Sequence, residues 1–206
     1  MTQQVTYDFR GQVAIVTGGT RGLGLVVAER LALAGCMVAV CGRNAPSYLP
    51  AGIAFYQADV RDAEQAKAFV DNVAQKFGRV DILVNNAGGG PASAIESASP
   101  RFIDAILKLN LVGPLYMAQA VYPYMKAQKG GSIVNIASVS GARPSPGTTV
   151  YGAAKAGLVN LTQSLAQEWG PDGVRVNAIL AGLMSTENAE ETYGDAEAQA
   201  AAYRFK

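Results

Sequence analysis

Short apolar runs rich in β-branched residues alternate with longer amphipathic segments along most of the 206-residue chain. This alternation limits the fold more than any other feature, because strands joined by helical crossovers pair in parallel and need helices on both faces of the sheet. The apolar runs predict six strands, namely Val13–Val16, Met37–Cys41, Ile53–Gln57, Ile82–Val84, Ser132–Ile136 and Val174–Ala178. The longer segments predict four helices, namely Gly22–Ala34, Ala63–Phe77, Pro100–Met125 and Thr149–Trp169. We therefore expect an α/β fold with a doubly wound parallel sheet of the Rossmann type, in three layers.

One connection breaks the alternation. The segment Asn44–Gly52, between the second and third strands, contains Pro46 and Pro50. It is too short and too rich in proline for a crossover helix, so we expect a loop or a single turn. The chain shows neither an internal repeat nor a linker, and we expect residues 1–206 to form a single domain.

Composition and charge argue against several classes of protein. Half of the residues are hydrophobic and 16% are charged, which is not the composition of a disordered chain. The net charge of +1 gives no basis for binding nucleic acid or a membrane surface. No apolar run approaches the roughly 18 residues of a membrane span. We expect a soluble cytoplasmic protein.

The sequence contains no histidine, which excludes a Ser-His-Asp triad and every histidine-ligated metal site. We expect no metal site, and acid–base chemistry must then come from Tyr, Lys, Asp or Glu. The two cysteines, Cys36 and Cys41, bracket one predicted strand whose ends point apart. We therefore expect two buried free thiols rather than a disulfide.

A glycine-rich segment follows the first predicted strand and opens the first helix, with glycines at positions 18, 22 and 24. Gly18 suits a tight turn, and Gly22 and Gly24 allow a close approach of a pyrophosphate to the backbone. The N-terminus of the helix supplies free N–H groups and a partial positive charge. The segment therefore predicts a phosphate-binding turn, although glycine-rich matches without this context are often plain turns.

Tyr151 and Lys155 are four residues apart on a predicted helix, which places both side chains on one face. A free phenol has a pKa of about 10. A fixed ammonium nearby favours the phenolate and lowers the pKa of the tyrosine. The pair predicts a proton-transfer site, although such pairs also occur by chance on helix surfaces.

Several motifs together carry a resemblance to a known family. They are Thr17-Gly-x-x-x-Gly-x-Gly24, Asn85-Asn-Ala-Gly88, Tyr151-x-x-x-Lys155, Ser138 and Asn110. This set resembles the short-chain dehydrogenases/reductases, with most similarity to the 3-oxoacyl-carrier-protein-reductase-like members. The resemblance implies one dinucleotide-binding and catalytic domain that transfers a hydride between a nicotinamide cofactor and a carbonyl or secondary alcohol. It also implies a homodimer or homotetramer formed through the two long helices.

The resemblance assigns roles to individual residues. Ser138 would orient the substrate oxygen, and Lys155 would hold the nicotinamide ribose as well as act on the tyrosine. Asn110 would hold a water that links Lys155 to solvent. The catalytic set is thus Asn110, Ser138, Tyr151 and Lys155. The cofactor-binding set is Gly18, Thr20, Arg21, Gly22, Leu23, Gly24, Arg43, Asp59, Val60, Asn86, Ala87, Gly88, Tyr151, Lys155, Gly182 and Met184.

Plainer interpretations stay open for some of these residues. Ser140 competes with Ser138 for the catalytic place, and Asn110 could be an ordinary polar residue of its helix. Asp59 resembles the residue that contacts the adenine ring, and it could also cap the helix that begins near Ala63. Asn86 is expected to stabilise strand ends and cofactor contacts rather than to react.

The end of the second strand bears on the choice of cofactor. An acidic residue there would bind the ribose 2′-OH of NAD. This chain has Gly42 instead, followed by Arg43, and Arg21 lies in the glycine-rich turn. Two arginines without a competing carboxylate could hold a 2′-phosphate, so we expect NADP(H) rather than NAD(H), although both could be solvated loop residues.

The chain departs from the family near its end. Ala181 stands where the family has a proline, while Gly182 and Thr186 fit the pattern. We expect the last helix and strand of the family to be absent, so that a substrate lid beginning about residue 183 is incomplete. A non-catalytic NADP-binding or scaffolding protein, and an epimerase or dehydratase, are alternatives. A 3-oxoacyl thioester is one possible substrate, and the pocket is predicted from Ser93, Ile95, Arg143, Pro144 and Leu183.

Overall fold

The structure, a computed structural model, describes residues 7–184. Six parallel strands form one sheet in the order β3-β2-β1-β4-β5-β6, which confirms the predicted doubly wound arrangement. The strands are β1 (Val13–Thr17), β2 (Met37–Gly42), β3 (Ile53–Gln57), β4 (Ile82–Asn85), β5 (Gly131–Ser138) and β6 (Val174–Ala181). The observed strands lengthen the predicted ones by up to three residues, except β3, whose bounds agree.

Five helices cover the two faces of the sheet. They are α1 (Gly22–Leu33), α2 (Ala63–Phe77), α3 (Pro100–Leu107), α4 (Gly113–Ala127) and α5 (Thr149–Trp169). Helix α1 packs on β1 and β2 on one face, while α2, α4 and α5 pack on the other. Three single-turn 3₁₀ helices lie at Ile95–Ser97, Val139–Gly141 and Gly170–Asp172. The three-layer prediction is confirmed.

The prediction of one uninterrupted helix over Pro100–Met125 is wrong at its centre. A π-helical turn, Lys108–Val112, separates α3 from α4. Pro114 has no N–H group to donate to the carbonyl of Asn110, so the regular hydrogen bond is missing there. The Asn110 amide also donates to the carbonyl of Ile106 at 3.0 Å. This places Asn110, fully buried, at the widened turn.

The caps of the helices partly confirm the sequence analysis. Ser99 caps α3 as expected, because its hydroxyl accepts from the backbone N–H of Phe102. Asp59 does not cap α2. The cap is Asp62, whose carboxylate accepts from the backbone N–H groups of Glu64 and Gln65. The residues between β2 and β3 form a loop without a helix, as predicted.

Both cysteines are buried free thiols, as expected. Burial raises the pKa of Cys36 to about 11 and that of Cys41 to about 12, so both thiols stay protonated and unreactive at neutral pH. Within residues 7–184, no helix has the length and hydropathy to cross a membrane. The same residues contain no cluster of acidic and cysteine side chains that could bind a metal ion.

The sheet order places β1 beside β4, and the chain turns to opposite sides from these two strands. Ligands of open parallel sheets bind outside the carboxyl ends of the strands at such a switch point. The candidate residues follow β1, β2, β3, β4, β5 and β6, or lie on helices that begin there. They therefore gather at one edge of the sheet.

The corrected cap gives a test of the fold. Replacing Asp62 by Ala removes the acceptor for two N–H groups at the start of α2, so we expect the free energy of unfolding to fall by about 1 kcal/mol. Denaturant titration measures it. Asp104→Ala, at an exposed acid within α3, is the matched control and should change it by less than about 0.5 kcal/mol. Equal effects of the two changes would contradict the assignment of the cap.

Candidate active site

The turn after β1 has the geometry of an anion-binding site. Gly18 has a positive φ of 63°, and its N–H donates to the carbonyl of Cys41. Arg21 precedes α1 in an extended conformation, its side chain does not cap the helix, and the first turn contains no acidic residue. The first N–H groups of α1, from Gly22, Leu23 and Gly24, therefore have no side-chain acceptor in this turn, which fits a pyrophosphate.

Asn86 and Thr17 join this turn to the end of β4. The Asn86 amide donates to the carbonyls of Thr17 and Gly18, at 3.0 and 3.2 Å. The Thr17 hydroxyl accepts from the backbone N–H groups of Asn86 and Ala87, both at 3.0 Å. The predicted role of Asn86 at the strand ends is confirmed. The part played by Thr17 was missed, because a threonine inside an apolar strand is also a common β-former.

Asn110 holds the glycine-rich loop that follows β4. Its Oδ1 accepts from the N–H of Gly89 at 2.8 Å, and its Nδ2 donates to the carbonyl of Gly89 at 2.9 Å. A side chain on Gly88 would meet Asn110 Oδ1 at 2.9 Å and Lys155 Nζ at 3.2 Å. The absence of a Cβ on Gly88 thus leaves room beside the ammonium. The structure thus shows Asn110 bound to both backbone groups of Gly89. Its expected role in binding a water stays a prediction.

Lys155 lies beside Tyr151 and is 3% exposed. Its ammonium donates to the carbonyl of Ile136 in β5 at 2.7 Å and lies 5.6 Å from the centre of the Tyr151 ring. Burial lowers the pKa of Lys155 to about 8, because the charged form loses its hydration. The lysine is therefore fixed in position and close to its titration range at working pH.

Ser138 ends β5 and is 8% exposed. Its hydroxyl oxygen accepts from the backbone N–H of Ser140 at 3.1 Å, which leaves its own proton free to be donated. The turn that follows β5 packs directly on α5. A Cβ added to Gly152 would lie 3.0 Å from the carbonyl oxygen of Ser140. A Cβ added to Gly141 would lie 2.7 Å from the carbonyl carbon of Lys155. These two glycines bring the end of β5 against the start of α5.

A buried polar chain fastens α5 to the sheet, and the sequence analysis missed it. The amide of Asn85 donates to Asn135 Oδ1 at 2.9 Å, and the amide of Asn135 donates to the Thr162 hydroxyl at 2.9 Å. Thr162 in turn donates to the carbonyl of Leu158 at 2.7 Å. Asn135 interrupts the apolar run of β5, and this polar residue within a buried strand was the available signal.

The residues expected at the adenosine end lie at the ends of β2 and β3. Arg21 and Arg43 are exposed, and within residues 7–184 neither guanidinium forms an ion pair. A Cβ on Gly42 would be in ordinary contact with Thr20, at 3.6 Å. A Cβ at position 42 is therefore accommodated without a clash.

Asp59 is engaged by Arg61, which the sequence analysis did not single out. Both carboxylate oxygens of Asp59 accept from the guanidinium of Arg61, which holds the pKa of Asp59 below its usual value, with a smaller contribution from the charge of Arg43. The side chain of Val60 is buried in the core, so its predicted cofactor contact would come from the backbone. Gly182 and Met184 follow β6 at the same edge, and Thr186 lies outside the described residues.

A cavity opens beside Tyr151 between the loop after β4, α3 and the start of α5. Its lining includes Ser93 and Ile95, as predicted, but not Arg143, Pro144 or Leu183. The other lining residues are Pro91, Ala98, Phe102, Ile106, Gly147, Thr148, Thr149 and Val150.

Comparison with known proteins agrees with this geometry. Residues 12–197 match the family model described as short chain dehydrogenase. The chain belongs to the short-chain dehydrogenase/reductase family. Its members act on CH–OH or C=O groups with a nicotinamide cofactor, and this chain is an oxidoreductase of that kind.

Individual relatives cover most of the chain. It is 36% identical to the 3-oxoacyl-[acyl-carrier-protein] reductase of Thermotoga maritima, over 88% of this chain and 77% of that protein. It is 39% identical to the D-threitol dehydrogenase of Mycolicibacterium smegmatis, over 89% of this chain and 75% of that protein. The crystal structure of levodione reductase superimposes on this structure with a TM-score of 0.82 at 34% sequence identity. The match covers 89% of this chain and 76% of that chain.

The buried ammonium predicts a pH-dependent stability. The pKa of Lys155 is about 8 in the folded protein, below the 10.5 of a free lysine, so the unfolded chain holds more protons between these values. The contribution of Lys155 to the free energy of unfolding therefore rises as the pH increases from about 8 to 10.5, and it is absent below pH 8. Without cofactor, the difference in unfolding free energy between wild type and Lys155→Met should grow by about 2 to 3 kcal/mol in favour of wild type from pH 7 to pH 10.

Denaturant titrations at the two pH values measure this difference. Lys108→Met, at an exposed lysine, is the control and should follow the wild type at both. If Lys155→Met also followed the wild type, Lys155 would not be buried in its charged form at neutral pH.

Proposed function

We propose that this chain is an NADP(H)-dependent enzyme that interconverts a carbonyl and the matching secondary alcohol, with Tyr151 as the proton-transfer residue. The observation that carries the proposal is the buried Lys155 ammonium, fixed on Ile136 and 5.6 Å from the Tyr151 ring centre. A binding protein has no need for a desolvated lysine beside a tyrosine at the mouth of a cavity.

The residues at the carboxyl edge would hold the dinucleotide. The N–H groups at the start of α1 would bind the pyrophosphate, and the bare backbone of Gly88 leaves space for the nicotinamide ribose beside Lys155. The backbone near Gly182 and Met184 would bind the nicotinamide end. The bound cofactor supplies or accepts the hydride.

The protein's own residues would move the proton. In the reducing direction the Tyr151 hydroxyl donates its proton to the substrate oxygen, and the positive charge of Lys155 stabilises the phenolate that remains. The Ser138 hydroxyl, whose oxygen already accepts from Ser140, would donate to the same substrate oxygen and orient it. In the oxidising direction the phenolate takes the proton of the alcohol.

Charge complementarity supports NADP(H) over NAD(H). Arg21 and Arg43 flank the end of β2, where Gly42 leaves the position of the NAD-type acid without a carboxylate. The guanidinium groups can both donate charge-assisted hydrogen bonds to a 2′-phosphate.

Further expectations from the sequence belong to the same proposal. A 3-oxoacyl thioester is a candidate substrate, supported by the similarity to the Thermotoga maritima reductase. We also propose a cytoplasmic homodimer or homotetramer that associates through α4 and α5. Membership of the family supports this assembly.

The proton-transfer role is tested by Tyr151→Phe. The change removes the only hydroxyl of the side chain, so kcat with NADPH and a responsive ketone should fall at least about 10³-fold. The Kd for NADPH, measured by fluorescence titration, should stay within about threefold, because the phenyl ring is retained. Tyr7→Phe, at an exposed tyrosine outside the site, is the control and should leave both values unchanged.

Unchanged turnover in Tyr151→Phe would overturn the assignment of the proton donor. NADPH binding to the wild type without oxidation by any carbonyl would indicate the non-catalytic alternative.

Cofactor choice is tested by Gly42→Asp. A Cβ fits at position 42 without a clash, and a carboxylate there repels a 2′-phosphate and accepts from a ribose 2′-OH. The ratio of kcat/KM for NADPH over NADH should fall at least about 100-fold, which corresponds to about 3 kcal/mol of changed discrimination. Gln75→Asp adds the same charge near the C-terminal end of α2, towards the opposite edge of the sheet, and should leave the ratio unchanged. Preference for NADH in the wild type would contradict the proposal.

A further inference from the structure

The backbone carbonyls at the end of β2 are held by hydrogen bonds from two neighbouring segments. The carbonyl of Cys41 accepts from the N–H of Gly18 in the phosphate-binding turn, and the carbonyl of Gly42 accepts from the N–H of Ala58 after β3, both at 3.0 Å. These backbone bonds fix the chain as far as Gly42. The residue that follows, Arg43, is one of the two arginines proposed to bind the 2′-phosphate.

The carbonyl of Arg43 is bound by a side chain instead of a backbone group. The parallel pairing of β2 with β3 ends at Gly42 and Gln57, one residue before Arg43. The side-chain amide of Gln57 donates to the Arg43 carbonyl at 2.9 Å. This bond continues the hydrogen bonding of the ladder by one residue and restricts rotation of the peptide that follows the Arg43 Cα.

Fixing this peptide also affects the side chain of Arg43. Arg43 is exposed, and a long exposed side chain loses conformational freedom when it binds a ligand. The rotamers that a side chain can adopt depend on the φ and ψ angles of its own residue. A backbone that is already held therefore lowers the cost of ordering the guanidinium on a phosphate.

Asp59 is a carboxylate that could compete for Arg43, and it is already paired. The Nε–H of Arg61 donates to both Asp59 oxygens, at 2.9 and 3.0 Å. These bonds hold the pKa of Asp59 below its usual value, and the nearby charge of Arg43 adds to the effect. Arg43 nevertheless forms no ion pair within the part of the chain that the structure describes, so its guanidinium stays available for an anionic ligand.

We infer that Gln57 is a positioning residue for cofactor selection, because its amide holds the backbone of Arg43 and so presents the guanidinium to the 2′-phosphate of NADPH. The inference rests on the proposed choice of NADP(H) and deepens it. Gln57 acts through Arg43 and not through the reacting atoms. It should therefore strengthen the binding of NADPH and leave the binding of NADH, which has no 2′-phosphate, unchanged.

Fluorescence titration of the two reduced cofactors tests this role without any substrate. Gln57→Met keeps the length of the side chain and removes its donor, so the Kd for NADPH should rise about fivefold. The Kd for NADH should stay within about 1.5-fold. Gln75→Met makes the same change at an exposed glutamine of α2 and should leave both values unchanged.

A double-mutant cycle connects the effect to Arg43. Arg43→Met removes the charge-assisted hydrogen bonds to the phosphate, so the Kd for NADPH should rise at least about tenfold. Adding Gln57→Met to this variant should raise the Kd by less than about 1.5-fold more, because a residue that acts through Arg43 then has nothing to position.

The outcomes separate this inference from the proposed choice of cofactor. An unchanged Kd for NADPH in Gln57→Met overturns the inference. A rise that persists in the Arg43→Met background also overturns it, because Gln57 would then act independently of Arg43. An equal rise for NADPH and NADH does the same, since it indicates a general change of the site. Wild-type preference for NADH, or an Arg43→Met variant with unchanged binding, defeats the proposed role of Arg43 itself and the inference with it.

Discussion

An ammonium group buried at the edge of a protein core needs an acceptor and a reason to stay charged. Lys155 finds its acceptor in the carbonyl of Ile136, which fixes the ammonium on β5. Burial lowers the pKa of Lys155 to about 8 because the charge has lost its water. A phenolate at Tyr151 would favour the charged lysine, and the charged lysine would favour the phenolate.

The rest of the site fixes the position of Tyr151 and Lys155 relative to the sheet. The polar chain from Asn85 through Asn135 to Thr162 fixes α5 two turns beyond Lys155. These bonds are buried, so each is expensive to leave unmade and each resists sliding of the helix. On the other side, Asn110 holds Gly89 and so keeps the loop after β4 beside the ammonium. Carbonyl chemistry depends on this positioning of the proton donor against the substrate oxygen.

The sequence predicted the elements and the location of the site, because periodicity and glycine spacing are local properties. The strand alternation led to the sheet, and the rule that ligands bind at carboxyl ends led to the edge where Gly18, Asn86 and Ser138 meet. The remaining features depend on contacts between distant segments. The π-turn at Asn110 follows from Pro114 together with Gly89, which lies 21 residues earlier in the chain. Asp62 caps α2 because it directly precedes Ala63, while the carboxylate of Asp59, three residues earlier, is bound by Arg61.

The central claim is that Lys155 makes Tyr151 acidic enough to exchange a proton at working pH. The direct measurement is a pH titration of the tyrosine Cζ signals by ¹³C NMR with oxidised cofactor bound, in which Tyr151→Phe identifies the signal. The account predicts that Tyr151 ionises at a lower pH in the wild type than in Lys155→Met, because the positive charge of the lysine favours the phenolate. Ionisation at the same pH with and without the lysine would contradict it.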